Sequence, residues 1–155
     1  MTRRILPRRQ FLGAAGVAAA GALSLTLVPF GAEATPSQVS AAIEKVIGNK
    51  TANEGRVNIT LPEIAENGGV VPMKVAVESP MTAGDHVKAV HLFADGNPLP
   101  EIANYHFGPH NGKADFALRI RLAKTQKIVA VAEMSDGRVF IARREVKVTL
   151  GGCGG

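Results

Sequence analysis

Past residue 34 the apolar positions follow two periods, one after the other. Val39, Ala42, Ile43, Val46 and Ile47 recur at i, i+3, i+4, i+7 and i+8, the stripe of a short amphipathic helix. Thr35-Pro36-Ser37-Gln38 ahead of it reads as a capping box, with Pro36 at the first helical position where no N–H is missed. Gly48 supplies the stop. An apolar stripe needs a surface to cover, so the helix is expected to pack on the domain or on a partner.

After Gly48 the period falls to two. Val57, Ile59 and Leu61 alternate with polar neighbours, as do Val71, Met73, Val75 and Val77, with Lys74 and Glu78 on the other face. Phe116, Leu118, Ile120 and Leu122 alternate with Asp115, Arg119 and Arg121. Ile128 to Met134 is apolar on both faces and predicts a central strand. Val139–Ile141 and Val146–Leu150 predict one long final strand, bulged at Arg143-Arg144. Turn chemistry separates the runs at Asn67-Gly68-Gly69, Asp95-Gly96-Asn97-Pro98, Asn111-Gly112 and Ser135-Asp136-Gly137. About seven short strands without intervening helices predict an all-β chain, an antiparallel immunoglobulin-like β-sandwich with a short N-terminal helix. No internal repeat or linker interrupts it.

Composition changes this picture in one place. The chain of 155 residues carries 18 Lys+Arg against 13 Asp+Glu, which invites a nucleic-acid reading. Residues 1–34, however, hold Arg3, Arg4, Arg8 and Arg9 against the single acid Glu33, and the rest is nearly balanced. The basicity belongs to the leader, and no nucleic-acid partner is expected. That leader has a cationic start, an uncharged run from Gln10 to Gly31, and small residues at alternate positions in Ala32-Glu33-Ala34. Arg8, Arg9, Phe11 and Leu12 fit the R-R-x-F-L core of a twin-arginine (Tat) signal. The expectation is export of the folded chain to the periplasm, removal of residues 1–34, a sandwich over 35–150, and no membrane association after processing. A single N-terminal anchor is the competing reading, because about 20 apolar residues can span a bilayer.

The chemistry concentrates in Gly151-Gly152-Cys153-Gly154-Gly155. One cysteine excludes an internal disulfide framework and any multi-cysteine metal site. A lone cysteine is commonly a small buried hydrophobe, but four flanking glycines bring no side chains to bury it with. The expectation is a thiol presented on a slender, flexible arm, Gly151 to Gly155, free to enter a narrow channel in another protein. No His or Lys adjoins Cys153 in sequence, so an ordinary thiol with pKa about 8.5 awaits activation from elsewhere. A free thiol in an oxidising compartment also predicts a disulfide-linked homodimer through Cys153.

Other constellations are weaker. His86, His91, His106 and His110 are read as solvated loop residues, since Phe107-Gly108-Pro109 breaks any helical pairing of His106 with His110. Arg119, Arg121, Arg143 and Arg144 are read as a solvated face. No metalloprotease H-E-x-x-H, nucleophile elbow or phosphate-binding glycine loop occurs. No metal or other cofactor is expected.

The terminal pentapeptide closely resembles that of the SoxY family, the sulfur carriers of thiosulfate-oxidising (Sox) systems. Val71-Pro72, Val75 to Met81, Asn97-Pro98-Leu99-Pro100, Thr125-Gln126 and Val129 to Glu133 also resemble that family. The resemblance implies that Cys153 is the covalent attachment site of sulfur intermediates and that the chain is a carrier, not an enzyme. It further implies a heterodimer with SoxZ, another small β-sandwich, and transient encounters with three enzymes. These are the haem protein SoxAX, which forms a cysteine S-thiosulfonate; SoxB, which releases sulfate; and SoxCD in some organisms. The residues alone leave open an exported binding module, a thiol redox or metal-delivery protein, and a ubiquitin-like carrier, against which the leader counts.

Overall fold

A computed structural model describes residues 34–152. The Tat motif and Cys153, Gly154 and Gly155 lie outside these residues.

The helix α1, Pro36–Ile47, forms where the capping box predicts it. The Thr35 hydroxyl accepts from the Gln38 N–H at 3.4 Å, and the Gln38 side chain accepts from the Thr35 N–H at 2.8 Å. Among the described residues nine strands follow: β1 (Ala52–Glu54), β2 (Val57–Thr60), β3 (Ile64–Asn67), β4 (Val71–Val77), β5 (Val87–Ala94), β6 (Glu101–His106), β7 (Ala114–Ile120), β8 (Gln126–Met134) and β9 (Val139–Leu150). They build two sheets. The larger runs β1-β9-β8-β5-β6, with β3 also against β9; the smaller runs β2-β4-β7.

Alternation along β4 is complete: Val71, Met73, Val75 and Val77 are buried while Pro72, Lys74 and Ala76 are exposed. Its buried face meets Leu92, Ile128, Ala130, Ala132, Met134 and Val146 of the larger sheet in one core. The larger sheet is covered on its other face too. There Val39 and Ile43 of α1 pack on Phe93, Val129, Val131, Val139 and Ile141. This is why Ile128–Met134 is apolar on both faces, since β8 lies between the sandwich core and the helix. The helical stripe therefore closes on the domain itself. Each fully buried Val, Ile or Phe there contributes about 1.5–3 kcal/mol.

Two sequence readings change. β9 pairs with β8 in unbroken register from Val139↔Glu133 to Val146↔Gln126, so Arg143-Arg144 is not a bulge. The register shifts fall in β5 instead, between Val87 and Ala89 and between Leu92 and Phe93. The sandwich is antiparallel except along the outer edge of β9. There β1 and β3 pair parallel to its first and last residues, with Ala52↔Val139 and Asn67↔Leu150.

Candidate functional site

The end of β9 carries the chain to the predicted arm, and the two residues beyond Leu150 are held on the body. Three chain segments meet there through backbone hydrogen bonds. The Gly68 N–H donates to the Leu150 carbonyl at 2.7 Å, the Leu122 N–H donates to the Gly68 carbonyl at 2.8 Å, and the Gly152 N–H donates to the Leu122 carbonyl at 2.9 Å. Gly152 is buried.

Glycine is needed here for closeness. A Cβ on Gly68 would sit 2.2 Å from the Leu122 carbonyl oxygen, and one on Gly151 would sit 2.2 Å from the Ala123 oxygen. A Cβ on Gly152 would approach the Gly68 oxygen to 2.8 Å. No side chain fits between these backbones.

The loop beneath is braced by buried amides. The Asn97 side chain donates to the Arg121 carbonyl at 2.9 Å and accepts from the Ala123 N–H at 3.1 Å and from the Gln126 amide at 2.8 Å. Gln126 accepts in turn from the Gly96 N–H at 2.8 Å. The Thr125 hydroxyl accepts from the Val148 N–H at 2.9 Å, tying the same loop to β9. Asn97 and Gln126 are buried, and their paired amides avoid the penalty of an unsatisfied polar group.

Gly151 and Gly152, the first two residues of the expected arm, lie against the Ala123, Gly68 and Leu122 backbones, and the rest of that arm lies outside the described residues. The sequence reading missed Gly68, Leu122, Asn97 and Gln126 as parts of this site. The signal was Asn97 and Thr125-Gln126, polar residues in the short segments that carried the family resemblance, whose task becomes visible only in the fold.

The histidines also need correction. His91 is 8% exposed, on β5, with one ring nitrogen 2.7 Å from the Asn104 Oδ1 and the other 3.1 Å from Glu133. Lys50 approaches the same carboxylate at 3.8 Å. Both ring nitrogens are thus engaged, and His91 is a satisfied structural residue rather than a loop side chain. His106 and His110 are exposed, and His86 is half-buried against the Thr82 carbonyl at 3.0 Å. Among the described residues no group of three or more His, Cys, Asp or Glu side chains is arranged to hold a metal ion. No described helix is long and apolar enough to cross a membrane. Arg119, Arg121, Arg143 and Arg144 are exposed, as expected of a solvated face. Arg119 and Lys74 edge a groove of about 630 Å³ on the smaller sheet, walled by Leu61, Pro62, Pro72 and Leu118.

Comparison with known proteins identifies the family and the fold. The sequence profile of the family described as sulfur oxidation protein SoxY matches residues 43–153. The structure is similar to that of the sulfur carrier protein SoxY from Chlorobium limicola f thiosulfatophilum, at 36% identity and TM-score 0.63, over 74% of this chain and 98% of that one. It is also similar to superoxide reductase (neelaredoxin) from Ignicoccus hospitalis, at 21% identity and TM-score 0.55, over 75% and 94% of the two chains. Superoxide reductase from Nanoarchaeum equitans matches at 14% identity and TM-score 0.52, over 62% and 100%. The likeness to the two reductases is one of fold alone. A sequence comparison with curated proteins gives no match.

Proposed function

The chain belongs to the SoxY family of sulfur oxidation proteins, and from that premise we propose that it carries sulfur intermediates covalently on Cys153. The observation that carries this reading is the anchorage of Gly152. The fold joins Gly68, Leu122 and Gly152 by backbone hydrogen bonds at the residue that precedes the cysteine in sequence. Gly154 and Gly155, like Gly151 and Gly152, add no side chain beside the sulfur.

The chemistry needs little from the carrier itself. Joining the thiolate to the outer sulfur of thiosulfate forms a cysteine S-thiosulfonate and releases two electrons to an external acceptor, the role assigned to the haem protein SoxAX. Attack of water on the terminal sulfonate, catalysed by SoxB, then liberates sulfate and leaves a persulfide on Cys153. SoxCD oxidises that remaining sulfur where it operates. The carrier is not itself an enzyme in this scheme and holds no resident cofactor. It works in the periplasm after Tat export through Arg8-Arg9, as a heterodimer with SoxZ. Left alone under oxidising conditions it forms a disulfide homodimer through Cys153.

The test is Cys153→Ser. Loading by thiosulfate in the presence of SoxAX should be abolished, while melting temperature and SoxZ binding stay as in the parent chain. Thiosulfate turnover supported by the serine variant would overturn the carrier assignment.

A further inference from the structure

Four steps of the chain place an asparagine or aspartate directly before a glycine: Asn67-Gly68, Asp95-Gly96, Asn111-Gly112 and Asp136-Gly137. Such a step can react with itself. Glycine has no Cβ to obstruct an approach, so its backbone nitrogen can reach the carbonyl carbon of the preceding side chain. The reaction needs that nitrogen free to lose its proton and to move, and a side-chain group that can depart.

The fold withholds three of these nitrogens. The Gly68 N–H donates to the Leu150 carbonyl at 2.7 Å, and the glycine is buried. Asn67 is tied as well, its Oδ1 accepting from the Gly69 N–H at 2.8 Å. The Gly96 N–H donates to the buried Gln126 side chain at 2.8 Å, while Asp95 accepts from the Lys127 N–H at 2.7 Å. The Gly137 N–H donates to the Met134 carbonyl at 3.1 Å. The Arg138 backbone N–H holds the Asp136 carboxyl below its ordinary value, and an ionised carboxylate has no good leaving group.

The remaining step is open. Asn111 ends a short 3-10 turn, Pro109–Asn111, and Asn111, Gly112 and Lys113 are all exposed. Among the described residues the Gly112 N–H donates to no acceptor. The chain bends tightly there, with Gly112 at φ +69° and the Lys113 N–H donating to the Asn111 carbonyl at 2.7 Å. Beyond the neighbouring residues, no atom lies within 4 Å of where a Gly112 Cβ would stand. The Asn111 side chain is held by one exposed bond, its Oδ1 accepting from the Gly108 N–H at 2.8 Å.

We propose that Asn111 is a self-modification site of the folded protein, converting to aspartate and isoaspartate through a cyclic imide. The Gly112 nitrogen gives its proton to water and attacks Cγ of Asn111; a C–N bond forms, and the side-chain nitrogen leaves as ammonia. Water then opens the ring. Breaking the new C–N bond gives aspartate, and breaking the old peptide bond gives isoaspartate. The net change is hydrolysis of an amide, with no oxidant or reductant. Either product places a carboxylate between His110 and Lys113. Isoaspartate also lengthens the main chain in the loop that carries Phe107, whose ring centroid lies 5.9 Å from that of Phe116. None of this depends on Cys153.

The experiment ages the full chain at mildly alkaline pH, with and without urea, and follows the peptide around each of these steps by digestion and mass spectrometry. In the folded chain Asn111 should convert first, with Asn67 at least roughly tenfold slower because it must wait for local opening. In urea the two rates should converge. Asn111→Gln, whose longer side chain closes a ring poorly, should lose the acidic species seen on ion exchange while unfolding as the parent does. Equal rates in the folded chain, an Asn67 still protected in urea, or acidic species undiminished in Asn111→Gln would each overturn the assignment.

Discussion

The two ends of the sandwich are finished in opposite ways. At the end away from Gly152, Asp85 holds Arg56 at 3.5 Å and Arg138 at 3.6 Å, and both guanidinium groups lie over the Phe140 ring at 5.2 and 5.8 Å. Ser135 links the two loops there, donating to the Gly84 carbonyl and accepting from the His86 N–H. Polar groups close that end against water. The other end is held by backbone contacts through Gly68, Gly151 and Gly152, with Asn97 and Gln126 beneath, and shows its apolar side chains outward. One end is closed by charged side chains and the other by backbone contacts, and the second carries Gly152, the residue before the cysteine in sequence.

Breaking the clamp should have the largest effect. Gly68→Val places side-chain atoms where even a Cβ meets the Leu122 carbonyl at 2.2 Å. It is expected to destabilise the domain by about 1–3 kcal/mol, the range of overpacked sites, measured by urea denaturation. Parent-like stability would mean that the three backbones are not tightly joined. At the opposite end, Asp85→Asn removes the carboxylate shared by two half-exposed arginines. The expected cost is at most about 1 kcal/mol, shrinking as salt is added. A larger, salt-independent loss would show that Asp85 acts through its hydrogen bonds instead.

Leu150→Ser should change stability by no more than about 0.5 kcal/mol, as for exposed positions generally. A bigger loss would mean that Leu150 supports the fold despite its exposure. The smallest effect concerns the β8–β9 turn. The Arg138 backbone N–H, 2.9 Å from Asp136, holds that carboxyl below its ordinary value of 3.8, and the Arg138 side chain adds to it. A lowered folded value means that the stabilisation is present above the unfolded value and fades as pH falls through the folded one. An NMR titration of Asp136 should therefore show a midpoint below 3.8; a midpoint at or above it would contradict the contact.

Much of this was legible before any coordinates. The cap at Thr35 and Gln38, the alternation of β4 and β7 and the two-faced burial of β8 follow from period and turn chemistry alone. The strand β5 was not, because a helix covers its outer face. His91 and Phe93 are buried there as Leu92 and Ala94 are on the inner face, so no alternation marks Val87–Ala94. The thiol was legible as chemistry, since glycines on both sides of a cysteine offer nothing to bury it. The packing of Gly151 and Gly152 before it was not, because glycine permits both flexibility and close packing. Only the position of Leu122 and Ala123 opposite Gly68 and Gly151 decides between them.

The central claim is covalent carriage on Cys153, and intact-mass analysis of the chain purified from cells grown on thiosulfate tests it most directly. The account predicts a mixture of the free thiol and sulfur-containing adducts, all mapping by peptide analysis to Cys153 and all released by a reducing thiol. A homogeneous unmodified chain under those conditions, or adducts resistant to reduction, would contradict it.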